Sequence, residues 1–225
     1  MRAILLAAGM GTRLRPITLN TPKSLIIVNG KPLLERQIEY LKEVGVEEII
    51  VLTGYLSDKF DYLKEEYNVK LVYNDKYDIY NNIYSMYLVR EYLADSYVID
   101  ADTYLSRNFL KRDLDVSTYF TGIKKGFNNE WILRFDEEGR VYDIEVGSEE
   151  DYIMSGVSYW TDDDGKFIKG KLEEALSGED WKELYWDNIA RSYLKIMNIH
   201  VKKINSDDWF EIDSIEDLKA LQEKL

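Results

Sequence analysis

Two glycines and two basic residues near the N-terminus form the part of this sequence that points most directly to chemistry. Gly9 and Gly11 follow an apolar run over residues 3–7, and Arg13 and Lys23 come shortly afterwards. Glycine lets a backbone approach a polyphosphate closely, while arginine supplies a fixed fork of donors and lysine a mobile charge. The spacing therefore indicates a loop that holds a polyphosphate.

Alternatives to this interpretation exist on the residues alone. Two glycines by themselves are also typical of a tight turn after a strand, so the two basic residues carry the argument. The loop is not a Walker motif, because no Gly-Lys-Ser/Thr follows a four-residue gap. A dinucleotide-binding fingerprint would need a third glycine where Leu14 stands.

Carboxylates occur at two positions where a substrate site is expected. Asp102 lies just beyond an apolar strand-like run, and open α/β sheets bind ligands outside the carboxyl ends of their strands. Asp213 precedes the last predicted helix, where Asp-Ser is also typical of a helix cap. Asp100 either faces the sheet interior or supports Asp102, and we do not count it as a ligand.

Acidic residues also stand beside aromatic ones. Glu130 precedes Trp131, and Asp187 follows Tyr185 by two positions. Aromatic faces and carboxylates together suit a cation that has no N–H donors. The alternative is that residues 184–186 belong to an amphipathic helix that simply buries its aromatic side chains.

Alternating strands and helices must position these groups in the first half of the chain. We predict strands at residues 3–7, 48–53, 70–73 and 97–100, with helices at about 33–45, 56–67 and 83–93 between them. Strands that alternate with helices at this spacing predict crossover connections and a doubly wound, mostly parallel sheet.

The second half has a different pattern. We predict strands at residues 118–123, 131–135, 141–146 and 155–160, which indicates a small antiparallel or mixed extension on the substrate side. Helices at 166–176, 181–194 and 214–225 and short strands at 198–203 and 209–212 complete the prediction. The three prolines all precede residue 33, and no linker-like tract interrupts the chain, so we predict one domain over residues 1–225.

Composition excludes several classes of function. The formal charge of −13 opposes broad binding to nucleic acid or to an anionic membrane surface. The chain has no cysteine and one histidine, His200, which excludes disulfides, thiolate chemistry and multi-histidine metal centres. The apolar N-terminal run is too short for a signal peptide or a membrane span, so we expect a cytoplasmic protein.

The run over residues 3–16, together with Pro22-Lys23, resembles the signature of the nucleoside-triphosphate transferases that make activated sugars and alcohols. The resemblance implies a Rossmann-like α/β fold with a mixed sheet. It also implies that the loop, Arg13 and Lys23 bind the triphosphate, with Arg13 and Lys23 as catalytic residues. Residues 80–85 resemble the segment that lines the base and ribose pocket, although Asn82 could instead be only a helix cap. The residues that the resemblance assigns to the nucleotide are Ala7, Ala8, Gly9, Gly11, Thr12, Asn82 and Ser85.

Within that superfamily, the chain is similar to bacterial CTP:phosphocholine cytidylyltransferases, which serve the decoration of surface polymers with phosphocholine. Residues 97–102, 129–131, 155–158, 184–188 and 211–214 carry this similarity. One departure from many sugar-nucleotide members is Ala101-Asp102, where they have Gly-Asp.

The similarity implies a reaction in which CTP and phosphocholine give CDP-choline and pyrophosphate. It makes Asp102 and Asp213 the ligands of Mg²⁺. It assigns the choline group to Trp131, Tyr185, Asp187 and Glu211. Two alternatives stay open: the same chemistry on a sugar 1-phosphate, phosphoethanolamine or 2-aminoethylphosphonate, and a non-catalytic nucleotide-binding regulator.

Overall fold

A seven-stranded mixed sheet carries the fold. The structure, a computed structural model, describes residues 1–178 and 181–225. The strands of the chain are β1 (Arg2–Ala7), β2 (Ile27–Val28), β3 (Lys31–Pro32), β4 (Glu48–Thr53), β5 (Lys70–Tyr73), β6 (Ser96–Asp100), β7 (Thr103–Leu105), β8 (Ser117–Phe135), β9 (Val141–Trp160), β10 (Ile199–Lys203) and β11 (Trp209–Glu211). The helices are α1 (Leu33–Glu43), α2 (Tyr62–Glu66), α3 (Asn82–Val89), α4 (Asp162–Leu176), α5 (Asp187–Ser192) and α6 (Ile215–Gln222).

The strand order of the large sheet is β10-β8-β9-β6-β1-β4-β5. β9 runs antiparallel to both of its neighbours, and the other strands share one direction. Two small antiparallel sheets, β11-β7 and β2-β3, lie beside it. The predicted α/β class and the mixed, mostly parallel sheet are therefore confirmed.

Hydrophobic cores cover both faces of the sheet, because alternate side chains of a strand point to opposite faces. Leu5 packs with Ile38 of α1 on one face. Ile4 packs with Met86 of α3 on the other face. A strand buried in this way reads as a continuous apolar run, and this is why β1 was visible in the sequence.

The second half contains two long strands where the sequence predicted four short ones. β8 and β9 pair over most of their length, with register shifts near Lys125, Asn128 and Trp131. Residues 123–130 are largely exposed in this ribbon. A strand with water on both sides lacks the apolar alternation that predicts strands, so the sequence alone showed only the buried ends.

Two predicted helices are shorter than expected. The prediction over residues 56–67 was too long: a 3-10 turn comes first, and the α-helix covers Tyr62–Glu66. The prediction over 181–194 survives only as Asp187–Ser192. Side chains bind the backbone N–H groups just before it, since Asn188 Oδ1 accepts from Tyr185 N at 2.7 Å. In the described part of the chain, no helix is long and apolar enough to cross a membrane.

Candidate active site

The glycine loop turns sharply where β1 ends and brings its backbone against the segment that carries Lys23. Gly11 has a φ of 58° and precedes a short 3-10 turn at Thr12–Leu14. A Cβ at Gly11 would lie 3.0 Å from the Cβ of Lys23 and 3.1 Å from the Cγ2 of Thr18. Because the conformation and the close approach both favour glycine, Gly11 is required for the loop to meet this segment.

Lys23 joins the two carboxylates that the sequence predicted to lie close together. Its Nζ donates to Asp102 Oδ2 at 2.7 Å and to Asp213 Oδ1 at 2.5 Å. Arg13 Nη2 lies 2.9 Å from Asp213 Oδ2. The Lys23 side chain is 14% exposed, whereas that of Arg13 is 70% exposed. The structure thus brings the basic loop and the acidic pair to one place.

Charge neutralisation holds this cluster together. Burial alone would lower the pKa of Lys23, but Asp102 and Asp213 outweigh burial and raise it above the ordinary value. Burial alone would raise the pKa of Asp213, but the charges of Lys23 and Arg13 outweigh burial and lower it below the ordinary value. Lys23 is therefore fixed as a cation and Asp213 as an anion near neutral pH.

The alternative in which Asp213 serves as a helix cap is wrong. Ser214 is the N-cap of α6, and its side chain accepts from Asp217 N in a capping box. The Asp217 carboxylate accepts in return from Ser214 N at 2.8 Å. The carboxylate of Asp213 is therefore left to face Lys23 and Arg13.

Gln37 supports the turn that carries Asp102, and sequence analysis missed this residue. It is fully buried in α1, and its Nε2 donates to Asp100 O at 3.0 Å and to Thr103 O at 2.7 Å. These bonds fix the backbone on both sides of Asp102. A glutamine on the apolar face of a helix that also contains Leu34, Ile38 and Leu41 was the available signal.

A cavity of about 260 Å³ opens beside Asp102. It contains all four residues that the sequence assigned to the choline group: Trp131, Tyr185, Asp187 and Glu211. The other residues around it are Asn82, Val98, Asp100, Asp102, Tyr119, Glu130, Met154, Gly156, Val157, Ser158 and Trp186. Residues from β6, β8, β9, β11 and the 184–187 segment therefore form one pocket.

The aromatic part of the cavity is formed by Trp131 and Tyr185. Their rings are 6.3 Å apart at an angle of 77°. The Arg191 guanidinium lies 6.0 Å from the Trp131 ring centroid. Trp186 is buried, but Tyr185 is 47% exposed and sits before α5. The alternative of an amphipathic helix that buries all these aromatics is therefore wrong.

The polar part of the cavity is acidic. Burial raises the pKa of Asp187 to about 7, against a donated hydrogen bond from Tyr119 Oη at 3.1 Å. Burial, then the charges of Asp102 and Glu130, raise the pKa of Glu211 well above its usual range. No lysine, arginine or histidine lines the cavity among the described residues. A ligand with a positive charge would complement this site.

The predicted nucleotide residues of the glycine loop lie in different environments. Ala7 and Gly9 line a cleft of about 70 Å³ together with Lys23 and Asp102, and Thr12 is exposed in the turn. Ala8 is buried, and its carbonyl accepts from Tyr55 N at 3.2 Å.

Asn82 and Ser85 differ from one another. Asn82 lines the cavity beside Asp102, and its Oδ1 accepts from Trp186 N at 2.9 Å. The N-cap of α3 is Asn81, so the interpretation of Asn82 as a cap is wrong. Ser85 is buried, and its hydroxyl accepts from Asn74 Nδ2 at 2.9 Å, so the structure does not bring Ser85 to the cavity.

Family comparison agrees with the loop geometry. The model of the nucleotidyl transferase family matches residues 2–225. The chain belongs to this family.

Relatives within the family include two cytidylyltransferases. The choline-phosphate cytidylyltransferase of Streptococcus pneumoniae is 49% identical over 225 residues, which are 100% of this chain and 98% of the relative. The 2-aminoethylphosphonate cytidylyltransferase of Lancefieldella rimae is 33% identical, over 97% of this chain and 90% of the relative. A solved structure of the CTP:phosphocholine cytidylyltransferase from Streptococcus pneumoniae superposes with a TM-score of 0.96 at 48% identity and covers 99% of this chain and 98% of its own.

Proposed function

We propose that this nucleotidyltransferase is a choline-phosphate cytidylyltransferase that joins CTP and phosphocholine to give CDP-choline and pyrophosphate. The observation that carries the proposal is the acidic, aromatic cavity that opens beside Asp102, next to the loop of Arg13 and Lys23. Whole-length similarity to the choline-phosphate relative supports it.

The chemistry requires charge neutralisation more than a base. An oxygen of the phosphocholine phosphate attacks the α-phosphorus of CTP, the bond between the α-phosphorus and the bridging oxygen breaks, and pyrophosphate leaves with the electron pair. A phosphomonoester has a second pKa of about 6, so the attacking oxygen is already ionised at neutral pH. Arg13, Lys23 and the loop N–H groups would bind the triphosphate and offset its growing negative charge.

The pair of carboxylates fits Mg²⁺. Asp102 and Asp213 both reach one ammonium group, so both can reach one small cation at that point. Mg²⁺ in nucleotide sites takes one or two carboxylates plus substrate oxygens. No cluster of three or more His, Cys, Asp or Glu side chains suited to a metal occurs in the described residues. When bound, Mg²⁺ would neutralise phosphate charge.

The acceptor site favours a cation over a sugar. A sugar is bound by hydrogen bonds to its hydroxyls, whereas Trp131 and Tyr185 offer aromatic faces. Asp187 and Glu211 add carboxyl groups, and a bound cation would favour their ionised form. Aromatic faces attract a quaternary ammonium by about 0.5–2 kcal/mol each. We also propose that the enzyme works in the cytoplasm, where its nucleotide is made, and that its product serves the decoration of surface polymers.

A pyrophosphate-release assay tests the function. Each of CTP, UTP, ATP and GTP is combined with phosphocholine, phosphoethanolamine, 2-aminoethylphosphonate or glucose 1-phosphate, with and without Mg²⁺. We expect the highest kcat/KM for CTP with phosphocholine and no turnover without a divalent cation. Asp102→Asn is the matched inactive control. Preference for 2-aminoethylphosphonate or for glucose 1-phosphate would overturn the proposal.

A further inference from the structure

Asp100 is a carboxylate of the cavity to which the proposed mechanism gives no role. It is the last residue of β6, whose alternate side chains point to opposite faces of the sheet. Val98 and Asp100 line the cavity, whereas Ile99 packs into the core on the α1 face. Asp100 is therefore directed to the acceptor site by the strand itself.

The facing strand leaves room for this carboxylate. Gly156 of β9 has a φ of 72°, a conformation that favours glycine. A Cβ at this position would lie 3.1 Å from Asp100 Oδ2 and 2.7 Å from Thr103 Oγ1. A larger residue would crowd Asp100, so the wall of the cavity is shaped around its side chain.

The carboxyl group of Asp100 has no hydrogen-bond partner of its own in the cavity. In the described chain, no group donates a hydrogen bond to its carboxylate. Lys23 acts on it through space but makes its direct contacts with Asp102 and Asp213. Burial, and then the charges of Asp102 and Asp187, raise the pKa of Asp100, and a cation bound in the cavity would favour its ionised form.

We propose that Asp100 is a specificity residue which, with Asp187 and Glu211, makes the cavity select an acceptor with a cationic head group over an uncharged acceptor of the same shape. This inference rests on the proposed function and names a residue that the function does not require. The competing role is support of Asp102 from two positions away, which would act on the metal and not on the acceptor.

The test compares phosphocholine with 3,3-dimethylbutyl phosphate, in which carbon replaces the quaternary nitrogen. The ratio of the two kcat/KM values measures selection for charge at constant shape. Wild type should prefer phosphocholine. In Asp100→Asn the ratio should fall on the order of tenfold, as expected for loss of one partly buried ionic contact, with an unchanged Mg²⁺ concentration for half-maximal rate. Asp113→Asn, the same change at an exposed site, should keep the wild-type ratio.

The outcomes are distinguishable. An equal fall for both acceptors with a shifted Mg²⁺ requirement would assign Asp100 to the metal site and overturn the inference. An unchanged ratio in Asp100→Asn would overturn it as well. A wild-type enzyme that does not use phosphocholine would overturn the proposed function itself. Thermal melting shows whether Asp100→Asn folds. If it does not fold, Asp100→Ser is used in its place, because it also removes the carboxyl group and needs less space beside Gly156.

Discussion

At the level of residues, the proposed acceptor site can be tested by substitution of single side chains, and Trp131 tests its aromatic part. Loss of a cation–π contact of roughly 0.5–2 kcal/mol in Trp131→Ala should lower kcat/KM for phosphocholine, by about thirtyfold at the upper end of that range. The affinity for CTP should change little. Phosphoethanolamine should lose less, because its ammonium can still donate hydrogen bonds to Asp187 or Glu211. The ratio of kcat/KM for phosphocholine to kcat/KM for phosphoethanolamine should therefore fall.

A matched tryptophan separates this role from packing. The Trp181 ring lies 4.7 Å from that of Tyr80 and does not line the cavity. Trp181→Ala should therefore leave the ratio of the two acceptors unchanged. If Trp131→Ala lowered kcat/KM equally for both acceptors and also lowered the melting temperature, Trp131 would be a packing residue.

The raised pKa of Asp187 predicts a pH dependence of acceptor selection. Burial raises this pKa to about 7, so the carboxyl is neutral below that pH and negative above it. A cation binds better to the negative form, and the ionised fraction rises about tenfold between about pH 6 and pH 8. The ratio of kcat/KM for phosphocholine to that for 3,3-dimethylbutyl phosphate should rise over this range by up to that factor.

Ionisation of the substrate phosphate cancels in this ratio, because both acceptors are phosphomonoesters. Tyr119, which bonds to Asp187, and the neighbouring Asp100 lie near this carboxyl, and Glu211 and Glu130 line the same cavity. Asp187→Asn should give a smaller ratio with a flat profile. A rising profile that persists in Asp187→Asn would assign the titration to another group.

At the level of elements, the start of α6 separates a structural role from a catalytic one. Ser214→Ala removes the cap and should cost about 0.5–2 kcal/mol of unfolding free energy, while turnover of the folded enzyme is retained. Asp213→Asn leaves the cap intact and should remove most turnover. Urea unfolding and steady-state rates of both variants give the comparison. Normal turnover in Asp213→Asn at saturating Mg²⁺ would contradict the proposal that Asp213 is a metal ligand.

At the level of the whole molecule, Lys23 connects segments from the start, middle and end of the chain. Lys23→Ala should depress turnover and remove the ammonium that Asp102 and Asp213 share, while Arg13 stays beside Asp213. Mg²⁺ should then raise the melting temperature of the variant by several degrees more than that of wild type, since about 1 kcal/mol of ligand stabilisation corresponds to about 2–4 °C for a domain of this size.

An exposed lysine supplies the control for this measurement. Lys59→Ala should respond to Mg²⁺ as wild type does. Equal shifts in Lys23→Ala and wild type would mean that the ammonium and the metal do not share the two carboxylates. Arg13→Ala, which leaves Lys23 in place, should lower turnover without this extra stabilisation.

The sequence by itself determined the features that depend on local pattern. Apolar runs located β1, β4 and β6, because buried parallel strands are apolar throughout. The edge strand β5 is not buried and was predicted from the alternation of strands and helices. The glycine loop with Arg13 and Lys23 was visible because its residues are close in the chain. Asp102 was visible at the end of an apolar strand, and the family resemblance assigned Trp131 and Asp187 to the choline group.

Only the tertiary structure decided which of these groups meet. Lys23 lies 79 residues from Asp102 and 190 from Asp213, and the order β9-β6-β1 with β11 beside β7 is what brings them together. Gln37 and Asp100 gained their places from contacts between α1, β6 and β9, which no local period encodes. The exposed middle of β8 and β9 could not be predicted for a related reason. Hydrogen bonds between the two strands stabilise it, and its side chains are not buried, so it has no apolar pattern in the sequence.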